Sequence, residues 1–390
     1  MRRLRHIFVV FLAVAAAIFA VVSSAFAGGS PARRPALRPA ERLFVPGPTA
    51  VTGGLVVGLA DGAAGYGGAS TSPQMSRMMG GTDAKWLRET LMWSKIEPRR
   101  GVFNFSYYDH YMLVAGQHGL HIVAQLVNTP KWAGRTPFSI PANPQLFADF
   151  VAAVVGRYGV GGSFWQAHPN LAGSAVTTFE LWNEPYFTNG NAGQYNPGRY
   201  ARMVKAASIA GHGASPSTSF LIEADMESHL NGVWTWWVDA LYKAVPDLNS
   251  YFQGVAVHDF GKDVTHLSPI VFGQAYPNFG RVRRIEDLRR QFLRHRAGDK
   301  PFWILEAGWP TCTLRHSDCV TPAQQKANLR TLIRYIHGPW KSWVQSLFIY
   351  RYKDGPEPNT VQGGYGLIYN TGKAKPALPV FEHLAATSAN

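Results

Sequence analysis

The feature that most constrains this chain is a regular alternation of strand-like and helix-like segments from about residue 54 to the C-terminus. The strand-like segments are short apolar runs bounded by turn residues. Eight are predicted, at Gly54–Ala60, Ala84–Met92, Leu120–Val127, Val176–Asn183, Ser219–Ala224, Gly254–His258, Phe302–Glu306 and Ser346–Tyr352. Alternation of this kind forms a parallel sheet, and eight units predict an α/β fold, a closed (β/α)8 TIM barrel, in one domain over residues 49–390.

Longer segments with helical spacing of apolar residues follow the strands. They are predicted at Pro73–Met79, Tyr107–His118, Pro144–Tyr158, Pro197–His212, Gly232–Val245, Ile285–Arg296, Pro322–His337 and Pro376–Leu384. Three of them begin at a proline that directly follows a capping residue, namely Asn143, Asn196 and Thr321. This order is typical of helix N-termini, because proline needs no partner there and the capping side chain accepts from a free amide.

The N-terminus has the pattern of a signal peptide over residues 1–27. It has a basic start, an apolar run over Ile7–Val22 and a small-residue cleavage pattern at Ala25-Phe26-Ala27. An uncleaved membrane anchor is the alternative. Residues 28–48 are rich in Pro, Gly, Ala and Arg, which predicts a flexible linker. Under either interpretation the folded part is exported, to a secreted, cell-wall or periplasmic location.

The chain is basic, with a formal net charge of +14. Loss of the three arginines in the signal peptide would lower this charge to +11. A basic exported protein can associate with acidic cell-wall polymers, although a solvated basic surface explains the same charge. Nucleic-acid binding is disfavoured because the chain is exported and carries no nucleic-acid motif. The sequence shows no second apolar segment of membrane-spanning length, so we expect no stable span after signal cleavage.

Only two cysteines are present, Cys312 and Cys319. Export makes a disulfide chemically possible, and it would close a small loop directly after the seventh strand. We expect this loop to shape one wall of a cleft. A metal site is disfavoured, because two cysteines with only His316 between them lack a fourth ligand.

Two strands end in glutamates. The fourth strand runs into Asn183-Glu184-Pro185, and Pro185 cannot donate to a sheet ladder. The seventh strand ends at Glu306. Because the carboxyl ends of barrel strands meet at one mouth, both carboxyl groups are predicted to project into the same pocket. A pair of carboxyl groups in one pocket is the chemistry that cleaves a glycosidic bond.

The segment Leu181-Trp182-Asn183-Glu184-Pro185 resembles the fourth-strand signature of glycoside hydrolase clan A, the retaining TIM-barrel glycosidases. Leu305-Glu306-Ala307-Gly308-Trp309 resembles the seventh-strand signature of the same clan. Further segments resemble clan members in the right order, at Trp86–Pro98, His121–Ala133, Val257-His258 and Tyr365–Ala377. The resemblance covers about Leu55 to Leu384, and families 39 and 5 look nearest.

The resemblance implies a role for each matching residue. Glu184 corresponds to the proton donor that later becomes the base, and Glu306 corresponds to the nucleophile. Asn183 matches the residue that binds the sugar 2-hydroxyl, and Arg88 matches an arginine near the nucleophile. His258 matches a histidine in the cleft.

Other positions complete the predicted site. The family often has a tyrosine where this chain has Phe260, so either Tyr276 or another hydroxyl makes that contact, or the contact is missing. Trp132 and Trp309 follow strand ends, where an indole face can stack on a sugar. Asn128 is a candidate substrate contact, and an ordinary turn residue is the alternative.

Further acids lie on or after the fourth and fifth strands. Glu180 shares strand parity with Glu184, which predicts a buried hydrogen-bonding partner inside the barrel. The acids Glu223, Asp225 and Glu227 cluster after the fifth strand and either line the cleft or are solvated loop acids, with the second interpretation favoured slightly.

Together these features predict an exported retaining glycoside hydrolase of class EC 3.2.1.-. It would cleave β-linked glycans by double displacement, with Glu184 as acid/base and Glu306 as nucleophile, and without a metal or organic cofactor. The predicted partner is an oligosaccharide or polysaccharide. Two alternatives stay open, a transglycosylase that uses the same pair and a non-catalytic glycan-binding barrel.

Overall fold

A computed structural model of the chain describes residues 54–60, 81–186, 196–224, 227–230, 233–259, 270–271, 274–275, 284–313 and 319–388. The predicted signal peptide (1–27), the predicted linker (28–48) and the predicted helix at Pro73–Met79 lie outside the described residues. So do Phe260 and Tyr276.

Eight parallel strands close into a barrel in the order in which they occur along the chain, which confirms the predicted (β/α)8 fold. Numbered in chain order, the barrel strands are β1 (Val56–Leu59), β2 (Trp86–Met92), β3 (His121–Val127), β4 (Thr178–Leu181), β5 (Ser219–Glu223), β8 (Gly254–Asp259), β11 (Phe302–Ala307) and β12 (Val344–Ile349). Pairing of β1 with β12 closes the barrel, with Val56 opposite Ser346. Two antiparallel hairpins stand outside it, β6 (Glu227–Leu230) with β7 (Val233–Trp236) and β9 (Ile270–Val271) with β10 (Gln274–Ala275).

Helices connect the barrel strands. They are α1 (Trp93–Ile96), α2 (Ser106–Gln117), α3 (Pro144–Tyr158), α4 (Ser163–Ala167), α5 (Pro197–Ala214), α6 (Trp237–Ala244), α7 (Arg284–Arg294), α8 (Pro322–His337) and α9 (Leu378–Thr387). The three predicted capping residues cap their helices: Asn143, Asn196 and Thr321 accept from the amides of Gln145, Arg199 and Gln324. In the described part of the chain, no helix combines the length and apolarity that crossing a bilayer would need.

One predicted helix is wrong over its first turn. The sequence predicts a helix over Gly232–Val245, whereas Val233–Trp236 forms β7 and the helix begins at Trp237. Val233, Trp234, Thr235 and Trp236 are β-branched or aromatic, and such residues favour a strand when a partner is at hand. That partner is β6, which pairs with them along its whole length.

The barrel interior is arranged in two layers. The lower layer is apolar and contains Val56, Val123, Leu221, Ala256, Trp303, Leu305 and Phe348. Side chains alternate along a strand, so the next inward position lies two residues further toward the carboxyl end. On three strands that next position is polar, at Gln125, Glu223 and His258. The apolar lower layer, here called the floor, is therefore covered by a polar layer at the carboxyl end of the barrel.

Gly58 tests how tightly the floor is packed. A Cβ at this position would lie 2.5 Å from the Phe348 ring and 2.5 Å from the Trp86 carbonyl oxygen. We expect Gly58→Ala to destabilise the fold by about 1–3 kcal/mol through overpacking. Gly213→Ala is the matched control, because it lies in α5 with no atom within 4 Å of its Cβ position. The control is expected to stabilise the helix by about 0.5–1 kcal/mol. Urea midpoints that shift in the same direction for both variants would contradict this account.

Candidate active site

The site is built around the guanidinium of Arg88 on β2, which is buried inside the barrel. Its Nε lies 2.5 Å from Glu180 Oε2 and one terminal nitrogen lies 2.8 Å from Glu180 Oε1, so the pair is bidentate. The other terminal nitrogen donates to Glu306 Oε1. Arg88 therefore joins β2, β4 and β11 at one point, and the fork that binds Glu180 fixes the direction in which the guanidinium meets Glu306.

Charge pairing decides the protonation state of this pair. Burial alone would raise the pKa of Glu180, but the adjacent Arg88 charge outweighs it and holds that pKa well below its usual range. Burial likewise would lower the pKa of Arg88, whereas Glu180 and Glu306 raise it well above its ordinary value. The inward-pointing acid predicted at Glu180 is thus an ionised partner of Arg88.

The end of β4 turns sharply and presents two polar residues to the mouth. The strand ends at Leu181, two residues earlier than predicted. Trp182 follows in a left-handed conformation with φ of 86°, and its indole is buried against Phe147 of α3. Glu184 is also left-handed, with φ of 44°. Non-glycine residues rarely adopt such angles, and they are concentrated at functional sites.

A β-bulge directs Glu306 toward the same mouth. Ile304 of β11 pairs with Val257 of β8, but the next pair joins Glu306 with His258. Leu305 is the extra residue, and it belongs to the apolar floor. Simple alternation would then turn Glu306 outward, whereas the bulge allows both residues to face the barrel interior.

His258 lies between the two glutamates. Its Nδ1 is 2.9 Å from Glu184 Oε1, and its Nε2 is 3.9 Å from Glu306 Oε1. Burial alone would lower the pKa of His258, but the charges of Glu223 and Glu306 outweigh burial and raise it well above its usual value. One imidazole therefore contacts both candidate catalytic carboxyl groups, which places them in one pocket.

The amide of Asn183 has a defined orientation. Its Oδ1 accepts from Gln125 Nε2 at 2.6 Å and from Arg88 at 3.2 Å. The Gln125 carbonyl in turn accepts from the Thr90 hydroxyl at 2.8 Å. With the oxygen occupied by two donors, the NH2 group of Asn183 is the end left to act as a donor.

Trp132 lies at the rim, half-buried, and is held by a loop after β2. Its indole nitrogen donates to the Glu97 carbonyl oxygen at 3.0 Å, and its ring packs edge-on against Trp93. The Glu97 carboxylate accepts from the indole of Trp93 and from the amide of Gly101. Glu97 is thus an acid that braces this loop.

The other two predicted contacts take different positions. Asn128 adopts a left-handed turn with φ of 77°, and its Oδ1 accepts from the Ser94 hydroxyl at 2.5 Å. Trp309 is only 2% exposed and packs in the core, a placement that favours packing over contact with a sugar.

The two cysteines form a disulfide, with 5.2 Å between the Cα atoms of Cys312 and Cys319. The bridge closes a short loop that starts five residues after the end of β11. This is the small loop that the sequence predicts after the seventh strand.

For Glu223, sequence reasoning favoured the wrong one of two interpretations. It is the last residue of β5 and is wholly buried, so the interpretation as a solvated loop acid is wrong. Its Oε1 lies 3.1 Å from His258 Nε2 and 3.8 Å from Arg88. Strand parity would have shown it, because Glu223 lies two residues beyond Leu221 of the apolar floor.

Glu180, Glu223 and His258 also bring three potential metal-ligand atoms within 4.8 Å of one another. The Arg88 guanidinium lies 2.8 Å from Glu180 Oε1 and 3.2 Å from His258 Nε2. A fixed positive charge at that distance competes with a cation for the same carboxylates. The arrangement fits an internal ion network better than a metal site.

Comparisons with known proteins place the fold. No protein-family profile matches the chain, and no curated protein matches it. Several solved structures do match, all at low identity. A family 39 glycoside hydrolase from Bacteroides cellulosilyticus WH2 is 16% identical with a TM-score of 0.58, over 86% of this chain and 64% of that one.

Two further structures give the same result. A GH39 beta-xylosidase from Caulobacter crescentus is 17% identical with a TM-score of 0.61, over 89% of this chain and 74% of that one. Xylanase 10B from Thermotoga maritima is 14% identical with a TM-score of 0.55, over 85% of this chain and 95% of that one. The chain thus has the same barrel fold as these glycosidases.

The Arg88–Glu180 pair predicts a pH-dependent stability. Glu180→Gln leaves a buried cation undercompensated, and we expect a loss of about 3–5 kcal/mol at neutral pH. Because the folded-state pKa of Glu180 is depressed, its contribution is complete above the unfolded value of about 4.3 and declines as the pH falls below it. The difference in free energy of unfolding between wild type and Glu180→Gln, measured with urea, should therefore become smaller from about pH 7 to about pH 3.5.

Asp247→Asn is the control for this comparison, since the Lys205–Asp247 pair is solvent-exposed, with side chains 38% and 53% accessible. Exposed pairs contribute little to stability. A Glu180→Gln gap that stays constant across the pH range would show that charge pairing does not cause the loss.

Proposed function

We propose that the protein is an exported, retaining glycoside hydrolase that cleaves β-linked glycans, with Glu184 as acid/base and Glu306 as nucleophile. The observation that carries this proposal is that the Glu184 and Glu306 carboxyl groups both lie against the imidazole of His258. Of the two, Glu306 is the one that accepts a hydrogen bond from Arg88. Two carboxyl groups with such different partners are suited to opposite roles.

In the first step Glu306 attacks the anomeric carbon. The Arg88 guanidinium donates to Glu306 Oε1 and fixes the direction of the carboxyl group for attack. As the bond between Glu306 and the anomeric carbon forms, the glycosidic carbon–oxygen bond breaks. The departing oxygen takes the proton of Glu184.

In the second step Glu184 takes a proton from water, and the resulting hydroxide equivalent attacks the anomeric carbon. The bond to Glu306 breaks, and the product keeps the original configuration. The Asn183 NH2 group, directed by Gln125 and Arg88, is placed to donate to a sugar hydroxyl and to strengthen that contact in the transition state.

The structural neighbours suggest which substrates to test first. Their names include beta-xylosidase and xylanase, so β-linked xylosides are the first choice for this chain. Export is supported by the signal-like sequence of residues 1–27.

Glu306→Ala tests the nucleophile. We expect hydrolysis of an aryl β-xyloside to fall by about 10⁴-fold or more, because no glycosyl-enzyme can form. Azide should restore turnover and give the α-glycosyl azide, identified by proton NMR, while wild type should release the β-configured sugar first.

Asp149→Ala is the control, since Asp149 is an exposed carboxylate on α3. It should keep wild-type activity and gain nothing from azide. Normal hydrolysis by Glu306→Ala would overturn the nucleophile assignment, and transfer to added sugar acceptors in place of water would favour a transglycosylase.

We further propose that the protein associates with acidic wall polysaccharides through a basic groove. This basic groove, about 820 Å³ in volume, lies between α8 and α9. Lys326, Arg330 and Arg334 follow one another at four-residue intervals along α8 and line it, together with His337 and His383. Cations at this spacing share one helix face, so a polyanion in the groove would meet all three.

Reversal of the three α8 charges to glutamate tests the basic groove. We expect retention on immobilised polygalacturonate at low salt to weaken by about tenfold or more, since the attraction is electrostatic. Hydrolysis of a small soluble substrate should not change. The control reverses three exposed cations on other helices, Arg202, Lys243 and Arg294. Equal loss of retention in both variants would mean that net charge, not the groove, causes the association.

A further inference from the structure

Glu223 is a carboxyl group of the polar layer for which the proposed reaction has no task. It is wholly buried at the end of β5, and neither of its oxygens makes a hydrogen bond of normal geometry. An unpaired buried carboxylate is unfavourable, so such a group keeps a proton or lies beside a cation. Burial raises the pKa of Glu223 well above its ordinary value, and the negative charge of Glu180 adds to this.

The neighbour of Glu223 is His258. Glu223 Oε1 lies 3.1 Å from His258 Nε2, and His258 Nδ1 lies 2.9 Å from Glu184 Oε1. The two ring nitrogens of an imidazole can hold one proton each, or one can donate while the other accepts. Glu223, His258 and Glu184 therefore form a continuous line from the buried end of β5 to the mouth of the barrel.

The groups around His258 balance its two charge states. Arg88 from β2 lies 3.2 Å from Nε2 and opposes a permanent imidazolium. Glu180 from β4 and Glu306 from β11 lie 3.7 Å and 3.9 Å from the same nitrogen and favour the imidazolium form of His258. From α5, the Tyr200 hydroxyl accepts from the Glu223 amide and keeps β5 in place.

We propose that Glu223 is a positioning residue that exchanges one proton with His258 in step with the proton transfers of Glu184. This inference rests on the proposed function of Glu184 as acid/base. The charge that does most to raise the pKa of His258 is that of ionised Glu223, so protonation of Glu223 removes it. While Glu184 holds its proton, the shared proton lies on Glu223 Oε1 and His258 is neutral, with Nε2 facing Arg88 and Nδ1–H donating to Glu184.

When Glu184 gives its proton to the departing oxygen, the proton on Glu223 moves to His258 Nε2. The new carboxylate of Glu184 then faces an imidazolium, and Glu223 becomes the counter-anion behind it. Both movements reverse when Glu184 takes a proton from water. No proton enters or leaves the Glu223–His258 pair, so the device needs no solvent access at its buried end.

Glu223→Gln removes the exchangeable proton while it keeps the size of the side chain. Without the imidazolium, the Glu184 carboxylate is less stabilised and Glu184 is a weaker acid. Substrates with poor leaving groups depend most on proton donation. We expect their kcat/KM to fall at least about tenfold more than that of a 2,4-dinitrophenyl glycoside. The basic limb of the pH profile should also move to higher pH.

Leaving-group dependence separates this role from a structural one. If Glu223 serves only to pack β5, kcat/KM falls by the same factor for all substrates and the basic limb of the pH profile does not move. That result would overturn the proposal. Should Glu223→Gln fail to fold, Glu223→Asp provides the second measurement, because it keeps a carboxyl group but withdraws it from Nε2. It should show the same leaving-group pattern in weaker form, and an equal loss on every substrate would again overturn the proposal. A wild-type protein without any glycosidase activity would instead refute the proposed function.

Discussion

The fold of this chain depends on how one buried cation is neutralised. Arg88 lies inside the barrel, where burial of an unpaired guanidinium would have a prohibitive free-energy cost. Glu180 neutralises this charge and accepts two parallel hydrogen bonds from Arg88, and Glu306 accepts a third from the other terminal nitrogen. Three strands from different parts of the chain must be in register for these contacts to form. The same guanidinium that Glu180 neutralises also orients the Glu306 carboxyl group, so the stability of the interior and the geometry of the candidate site have a common origin.

The polar layer works because the layer beneath it is dry. Apolar side chains of the floor, including Leu221 and Phe348, exclude water from the lower barrel. Electrostatic interactions are stronger next to such a region than in water. Arg88, His258 and the carboxyl groups therefore influence one another across 3–4 Å, which is the condition for a site where small movements of protons have large effects.

Much of the fold could be predicted because its signals are local. Apolar runs mark the eight strands, and Asn143 or Thr321 before proline marks a helix start. The two glutamates at strand ends were found because Pro185 ends one strand and a similar ending follows at Glu306. The β6–β7 hairpin was missed because β-forming residues at 233–236 pair with a strand that carries no clear pattern of its own. The left-handed backbone of Trp182 is a further feature that strand parity does not describe.

Glu223 was misjudged for a different reason. It lies within the predicted fifth strand, and parity with Leu221 marks it as inward-facing, but its acidic sequence neighbourhood resembles a solvated loop. The charge state of an acid depends on which other strands surround it, and that information is not local. His258 illustrates the same point, since four of its charged neighbours come from four different barrel strands.

The bulge at Leu305 has a consequence for how this site can change over evolutionary time. The bulge lets two consecutive side chains of β11, Leu305 and Glu306, face the barrel interior. If position 305 were kept but the bulge closed, regular alternation would turn Glu306 toward the surrounding helices. Deletion of position 305 would instead leave Glu306 opposite His258 and facing inward, at the cost of one apolar side chain of the floor. The aim of the carboxylate therefore depends on the backbone shape at position 305 and tolerates many apolar side chains there.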